Sequence, residues 1–206
     1  MSIISNTNNP DKPQYWDLKY ETNNIGWDIS KPTPVFTQFF KKLKDKNKKI
    51  LIPGSGNGHD AIFLSELGFK VYTVDFSKVA NNNLILKSQK KGLSIKVISE
   101  DFFNLSNYNQ FFDVVLEYTF FCAINPKKRD KYIKKVYSLL KDKGIFVGLF
   151  LPINKGTNDT GPPFQVNLDI INKNFSKYFS NIVFEKSNFS IKPRRDNEVF
   201  FTMTKC

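Results

Sequence analysis

Glycines occupy every second position at Gly54, Gly56 and Gly58, directly after a short run of aliphatic residues. Such a run predicts a buried strand of a parallel sheet, and helical spacing of apolar residues resumes after the glycines. A strand, a glycine turn and a helix N-terminus together direct backbone N–H groups and a positive helix end towards a ligand. Glycine also allows close backbone approach and turn angles that a Cβ atom would forbid. The segment therefore predicts a site for a nucleotide-like cofactor.

Asp75 ends the next predicted strand, 21 positions after Gly54. Dinucleotide-binding folds place about 20 residues between the glycine turn and an acid that binds ribose, and a carboxylate here can accept both ribose hydroxyls. The dinucleotide pattern needs a third glycine where this chain has His59, and the Gly-Lys-Ser/Thr of a Walker loop is absent. The pattern Gly-x-Gly-x-Gly is instead usual in enzymes that bind S-adenosylmethionine (SAM), the cofactor that we predict.

Two later strands also end in residues suited to a cofactor site, because open α/β sheets bind ligands at the carboxyl ends of their strands. Asp101 and Phe102 follow the third predicted strand, where an acid can bind the adenine amino group and an aromatic ring can cover the base. Asp101 could equally cap a turn, and Phe102 could equally be a core aromatic. The fourth strand ends at Tyr118, which makes this tyrosine a further candidate.

Two residues with reactive side chains have plainer interpretations. His59, the single histidine, could act as a base, but we favour capping or packing at the start of the helix. Cys122 is predicted to be a small buried residue rather than a nucleophile. Because Cys206 is the only other cysteine, the sequence predicts neither a disulfide framework nor a metal site, and a reducing cytoplasm is the expected location.

The composition indicates one globular domain with a basic surface: 206 residues, 40% of them hydrophobic, and a net charge of +12. Such a charge can indicate nucleic-acid binding. However, only Arg129, Arg194 and Arg195 among the 31 basic residues are arginines, which make the stronger bidentate contacts. We therefore expect solvated lysine surfaces and no nucleic-acid partner. Arg194 or Arg195 could steer an anionic substrate, or both could be solvated. No apolar run predicts a membrane span, and no signal peptide is evident.

The periodicity predicts strands and helices in alternation, which is typical of right-handed βαβ units around a parallel sheet. The predicted strands are 49–53, 70–75, 94–99, 112–117 and 145–151, and the predicted helices are 35–43, 58–67, 77–91, 126–140 and 168–178. Two further runs, 182–190 and 198–204, predict an antiparallel C-terminal hairpin. The fold class that we predict is therefore α/β: a Rossmann-like class I methyltransferase with a mostly parallel seven-stranded sheet and helices on both faces. Residues 1–13 are predicted to be disordered, and 14–206 to form one domain with an aromatic lid at 14–34.

Three segments carry a family resemblance that is more specific than the glycine turn. The segment 117–124, EYTFFCAI, followed by Pro126 and Arg129, closely resembles the strand-four signature of plant-type halide/thiol methyltransferases. These enzymes belong to the thiopurine S-methyltransferase superfamily. The loop 161–166, GPPFQV, resembles that superfamily's Gly-Pro-Pro-aromatic-x-Val loop. The segment 27–34 resembles its N-terminal Trp-Asp…Thr-Pro segment.

The resemblance implies roles for individual residues. The family closes its cofactor site with N-terminal aromatic residues, and Tyr20 here stands where tryptophan is common. Ser55 replaces the usual cysteine of the glycine turn, from which we expect little effect. The positions that match the family's SAM-binding residues are Trp16, Tyr20, Trp27, Gly54, Gly56, Asp75, Asp101, Phe102 and Tyr118. Tyr118, near the methyl donor, is also our candidate catalytic residue: it could orient the nucleophile or merely line the pocket.

The activity that the resemblance implies is transfer of a methyl group from SAM to a small thiol, halide or thiocyanate. A sulfonium methyl is electrophilic, so in-line positioning and exclusion of water would account for most of the catalysis, and no metal is expected. The product would be S-adenosylhomocysteine and a methylated, volatile compound. The alternatives are a thiopurine-type or other small-molecule S-methyltransferase, a nucleic-acid methyltransferase, and a SAM-binding protein without activity.

Overall fold

The fold is organised around one mixed β-sheet, and the computed structural model describes residues 7–153 and 161–206. Its strands are β1 Lys49–Pro53, β2 Lys70–Asp75, β3 Ile95–Ser99, β4 Phe112–Tyr118, β5 Leu140–Phe150, β6 Phe179–Glu185 and β7 Val199–Lys205. They lie in the order β3-β2-β1-β4-β5-β7-β6. Strands β1 to β5 are parallel, and β7 runs antiparallel to both β5 and β6. The predicted parallel sheet with an antiparallel C-terminal hairpin is confirmed.

Helices cover both faces of this sheet. They are α1 Pro13–Glu21, α2 Pro34–Lys42, α3 His59–Glu66, α4 Lys78–Lys90, α5 Arg129–Leu139 and α6 Leu168–Phe175. Short 3₁₀ turns occur at Phe102–Asn104, Ser106–Tyr108 and Pro126–Lys128. One core packs α5 and α6 against the sheet, and a second core packs α2, α3 and α4 against the opposite face. Both faces are therefore buried, which explains the near-continuous aliphatic residues of the central strands. Within the described ranges, no helix is long and apolar enough to cross a membrane.

The strand β5 begins five residues earlier than the sequence predicted. The Lys-Asp-Lys-Gly segment at 141–144 falls between the predicted helix 126–140 and the predicted strand 145–151, and these bounds are wrong, because the segment lies inside β5. Leu140 pairs with Phe112, and the register shifts before Ile145 pairs with Val114. The polar side chains are accommodated because Lys141 Nζ donates to Asp113 Oδ1 at 2.8 Å across the two strands.

Other boundaries at the ends of the chain also differ. Strand β6 starts at Phe179 rather than at 182, and α1 was not predicted as a helix. Pro13 occupies the first turn of α1, a position where proline is favoured because its missing N–H would lack a helical partner. Residues 7–12, which the sequence assigned to a disordered terminus, form turns, and Trp16 Nε1 donates to the Pro10 carbonyl at 2.8 Å.

Candidate functional site

A cavity of about 490 Å³ lies at the carboxyl edge of the parallel strands, beneath the segment that contains α1. We call this segment, residues 10–33, the aromatic arm, and we call the space the main cavity. Its walls come from the arm, the ends of β1 to β4, the Gly-Pro-Pro loop and the turn before β7. The residues that line it include Trp16, Tyr20, Trp27, Gly54, Asp75, Asp101, Phe102, Thr119, Phe120, Cys122 and Arg194.

The glycine turn after β1 lies under this cavity and has no room for larger residues. Gly54 has a φ of +58°, and a Cβ atom there would lie 2.5 Å from the Phe120 ring. Gly56 has a φ of +52°, and a Cβ atom there would lie 2.6 Å from Tyr20 Oη. Both positions combine a left-handed backbone with close approach of an aromatic side chain, so the sequence-based reason for glycine is confirmed.

Gly54→Ala is expected to destabilise the protein more than Gly92→Ala, which serves as its matched control. Gly92 has a φ of +65° but open space where its Cβ atom would lie, so alanine there costs about 1 kcal/mol for the backbone alone. Gly54→Ala has this backbone cost as well, and its Cβ atom must also displace the Phe120 ring and with it the cavity wall. Urea unfolding and titration with S-adenosylhomocysteine would measure both effects. Equal unfolding free energies and equal affinities for the two variants would contradict this explanation.

Asp75 closes the turn from the β2 side. Its Oδ2 accepts the Gly56 N–H at 3.1 Å, and its Oδ1 accepts the Ser77 N–H at 2.9 Å. Burial raises the pKa of Asp75 to about 6, although these backbone hydrogen bonds oppose the rise. Each carboxylate oxygen retains a further lone pair, so Asp75 can accept hydroxyl donors from the cavity.

The aromatic arm places three rings over the glycine turn. Trp27 makes edge-to-face contacts with Trp16 at 5.4 Å and with Tyr20 at 5.9 Å between ring centroids. All three line the main cavity. The arm is fixed at α1 because Asp17 Oδ1 accepts hydrogen bonds from Ser77 Oγ at 2.6 Å and from the Val79 N–H at 3.2 Å. The same three side chains therefore pack against one another and line the cavity.

A second set of polar contacts fixes the C-terminal part of the arm. Asp28 contacts His59 Nε2 at 3.1 Å through Oδ1 and accepts Asn57 Nδ2 at 2.6 Å through Oδ2. Burial disfavours the charged form of Asp28, but the hydrogen bonds from His59 and Asn57 outweigh it and hold its pKa below the ordinary value. Thr33 donates its N–H and Oγ to Asp60 at 2.7 and 2.8 Å. His59 thus anchors the arm, in agreement with the packing interpretation.

Gly56 and Tyr118 line a smaller cavity of about 60 Å³ next to the main cavity. Trp27, Gly54 and Thr119 line both cavities, so the two spaces share a wall. The structure thus brings all nine predicted site residues to one edge of the sheet, divided between two adjoining cavities.

Asp101 and Phe102 have structural roles in addition to lining the main cavity. Asp101 Oδ1 accepts the Phe103 N–H at 2.9 Å and so caps the 3₁₀ turn after β3. The Phe102 side chain is buried and packs against the rings of Phe120 and Tyr132. Asp101 therefore is a turn cap and Phe102 is a core aromatic residue, as the alternative interpretations proposed. Binding of adenine by these two residues stays a prediction.

Arg194 enters the main cavity, whereas its neighbour Arg195 is exposed. The Arg194 guanidinium donates Nη1 to Tyr118 Oη and donates Nη2 to the Trp27 carbonyl at 2.7 Å. Burial raises the pKa of the Tyr118 hydroxyl, although the charge of Arg194 opposes this rise. Tyr118 is therefore a neutral phenol whose oxygen accepts from Arg194. The sequence could not distinguish the two arginines, and the structure does.

The Gly-Pro-Pro loop forms a wall of the main cavity, although none of its residues is among the nine predicted site residues. The Phe164 N–H donates to the Cys122 carbonyl at 2.7 Å, and Arg129 donates to the carbonyls of Gln165 at 2.9 Å and Phe164 at 3.2 Å. In the sequence, the only indication of this contact was that Arg129 belongs to the segment that resembles the family's strand-four signature. Cys122 is buried as predicted, and burial raises the pKa of its thiol to about 12. It therefore stays neutral and is a poor nucleophile.

A model of the thiopurine S-methyltransferase family matches residues 11–205 of this chain. The chain belongs to the thiopurine S-methyltransferase family. It is 30% identical over 190 residues to the probable thiol methyltransferase 2 of Arabidopsis thaliana, which covers 89% of this chain and 81% of that protein. It is 28% identical over 186 residues to thiocyanate methyltransferase 1 of Brassica oleracea, with the same coverage of 89% and 81%. The resemblance found in the sequence is confirmed.

Solved structures agree on the fold of this thiopurine S-methyltransferase family member. The chain superposes on the Burkholderia thailandensis 1,6-didemethyltoxoflavin-N1-methyltransferase with a TM-score of 0.74 at 14% identity, over 94% of this chain and 86% of that one. Membership of the family makes the chain a SAM-dependent methyltransferase. The site fits that cofactor, because it combines a glycine turn without room for Cβ atoms, a buried acid at the end of β2 and an apolar cavity roofed by aromatic rings.

Proposed function

We propose that this enzyme transfers the methyl group of SAM to a small acceptor that reacts as an anion: a thiol such as hydrosulfide or methanethiol, which loses its proton to water and attacks as the thiolate, a halide, or thiocyanate. The observation that carries the proposal is the guanidinium of Arg194, held between Tyr118 and the Trp27 carbonyl at a cavity whose walls are mostly apolar and aromatic. A fixed positive charge in such surroundings attracts an anion more strongly than the same charge in water does. The products are S-adenosylhomocysteine and a methylated, volatile compound.

The nine site residues supply the cofactor contacts in this proposal. Asp75 accepts the ribose hydroxyls, Asp101 binds the adenine amino group and Phe102 lies against the base. The aromatic faces of the arm favour a neighbouring sulfonium cation. When bound, SAM supplies a methyl group on a positively charged sulfur, an electrophile that an anion can attack directly.

The acceptor side needs a charge to hold the anion and a wall to exclude water. Arg194 supplies the charge, and its two hydrogen bonds fix the guanidinium so that little reorganisation accompanies binding. Tyr118 positions Arg194 through its oxygen and does not act as a base, because burial keeps its hydroxyl protonated. An acceptor that is already ionised requires no base. The apolar cavity wall removes water from the acceptor.

A panel of acceptors tests this proposal. The purified chain is mixed with SAM and hydrosulfide, methanethiol, thiocyanate, iodide or a thiopurine, and both headspace gas and S-adenosylhomocysteine are measured. We expect the small anions to give the higher kcat/KM. Turnover of the thiopurine alone would contradict the small-anion proposal and support the thiopurine-type alternative. Salt-dependent binding and methylation of a transfer RNA or a DNA duplex would contradict it in favour of nucleic acid.

A cytoplasmic location is also part of the proposal. Cys122 and Cys206 are both free thiols, as is usual for proteins of a reducing compartment.

A further inference from the structure

Glu117 is a buried carboxylate behind the wall of the main cavity, at the end of β4, and has no direct part in the proposed reaction. Its Oε1 accepts the N–H groups of Phe120 at 2.9 Å and of Phe121 at 2.7 Å. Its Oε2 accepts the hydroxyl of Tyr132 on α5. Three donors therefore converge on one side chain whose exposed fraction is 0%.

The segment that Glu117 contacts is the loop Thr119 to Ile124, which we call the β4 loop. Thr119 has a φ of +60°. This left-handed conformation is unfavourable for a β-branched residue and persists only where the surroundings hold it. The next two residues are the ones whose N–H groups bind the Glu117 carboxylate. Glu117 thus stabilises the strained start of the loop.

The β4 loop connects the two sides of the main cavity. Thr119, Phe120, Cys122, Ala123 and Ile124 all line the cavity. On one side, the Phe120 ring packs against the glycine turn at Gly54. On the other side, the Cys122 carbonyl accepts the Phe164 N–H of the Gly-Pro-Pro loop. A displacement of the β4 loop would therefore move both the cofactor side and the acceptor side of the wall.

We propose that Glu117 is a positioning residue for methyl transfer: its carboxylate, held by Tyr132, fixes the β4 loop in the shape that forms the cavity wall. The loss of activity expected below rests on the proposed function, whereas the loop shape can be measured without turnover. A small misplacement of groups around a reacting centre can cost about 10²-fold in rate. This sets the size of the effect expected on kcat.

The groups around Glu117 favour its ionised form, and we infer that the ionised carboxylate is the form that fixes the β4 loop. The ionisable groups facing it are Tyr132 and Arg129 from α5 and Cys122 from the loop itself. Burial raises the pKa of Glu117 to about 7, while the Phe121 N–H, the Tyr132 hydroxyl and the Arg129 charge oppose the rise. Protonation would remove the negative charge that the Phe120 and Phe121 N–H groups bind, and charge-assisted hydrogen bonds are about twice as strong as neutral ones. We therefore expect the β4 loop to become less ordered, and kcat to decrease, as the pH falls through about 7.

The test compares Glu117→Gln with Asp113→Asn. Both change a carboxylate to an amide on β4, but Asp113 lies at the opposite end of the strand, where it binds Lys141 and the Lys49 N–H. In Glu117→Gln we expect at least tenfold faster hydrogen exchange at the amides of Phe120 and Phe121. With thiocyanate, whose charge does not change near neutral pH, we expect kcat to fall about 10²-fold. Asp113→Asn is expected to match the unsubstituted protein in both measurements.

Tyr132→Phe provides a second variant if Glu117→Gln does not fold. It removes one hydrogen bond that lowers the pKa of Glu117, so the acid inflection of kcat should move to higher pH. An unshifted inflection would overturn the proposal. A lower Tm of Glu117→Gln with unchanged amide exchange and kcat below the unfolding transition would also overturn it. If the unsubstituted protein turns over no acceptor, the proposed function fails, and the amide exchange alone decides the role of Glu117.

Discussion

Replacement of Arg194 by alanine is expected to lower kcat/KM for thiocyanate or iodide by about 10²-fold, because hydrogen bonds to a charged group contribute about 1.5–3 kcal/mol. The substitution removes the fixed positive charge from the main cavity and both of its anchoring hydrogen bonds. Arg194→Lys keeps a charge but loses the planar fork that binds Tyr118 and Trp27 together. It should therefore give an intermediate rate. Initial rates at several acceptor concentrations measure the effect.

Arg195→Ala is the matched control, since it removes the same charge from the next position, which is exposed. We expect it to keep the rate of the unsubstituted enzyme. Affinity for S-adenosylhomocysteine, measured by calorimetry, separates two roles of Arg194. An unchanged affinity with a reduced kcat/KM supports acceptor binding. An equal decrease in this affinity and in kcat/KM would show that Arg194 acts only by docking the arm at Trp27. Equal rates for Arg194→Ala and Arg195→Ala would contradict any role of Arg194 in the reaction.

Asp75→Asn is expected to weaken binding of S-adenosylhomocysteine by about 10²-fold, because hydrogen bonds to a charged group contribute about 1.5–3 kcal/mol. Both carboxylate oxygens of Asp75 already accept backbone N–H groups, from Gly56 and Ser77. An asparagine must therefore turn its NH₂ group towards one of these donors, which leaves that donor without an acceptor. Calorimetric titration measures the loss, and Asp113→Asn at the far end of β4 again serves as the control.

The pH dependence of cofactor binding tests independently whether the Asp75 carboxylate binds the ribose. Burial raises the pKa of Asp75 to about 6 in the ligand-free protein, and only the ionised form can accept from both ribose hydroxyls. Affinity should therefore fall as the pH drops through about 6, and Asp75→Asn should remove this dependence. The sign for stability is opposite: because burial raises the folded-state pKa of Asp75 above its ordinary value of 3.8, the stability that the protonated group contributes is lost as the pH rises from about 3.8 to about 6. A pH-independent affinity of the unsubstituted protein would contradict the ribose contact.

Much of the sheet could be predicted because its signals are local. The bounds of β1 and β2 agree with the sequence, since aliphatic runs flanked by glycine or a charged turn define a buried strand. The start of β5 could not be predicted in this way. Its first residue, Leu140, is followed by lysine, aspartate and glycine residues that are typical of a turn. Pairing of Leu140 with Phe112 and the contact between Lys141 and Asp113 override that preference.

Within the site, the glycine turn, the acid at the end of β2, the aromatic arm and membership of the family could be predicted from the sequence alone. These depend on the types and spacing of residues that are near one another in the chain. The tertiary structure was needed to show that Arg194 rather than Arg195 enters the cavity, and that Glu117 faces the β4 loop and Tyr132. Arg194 and Tyr118 are 76 positions apart. Which of two adjacent side chains points inwards depends on the turn before β7 and on where the sheet brings β4, and no local pattern encodes that contact.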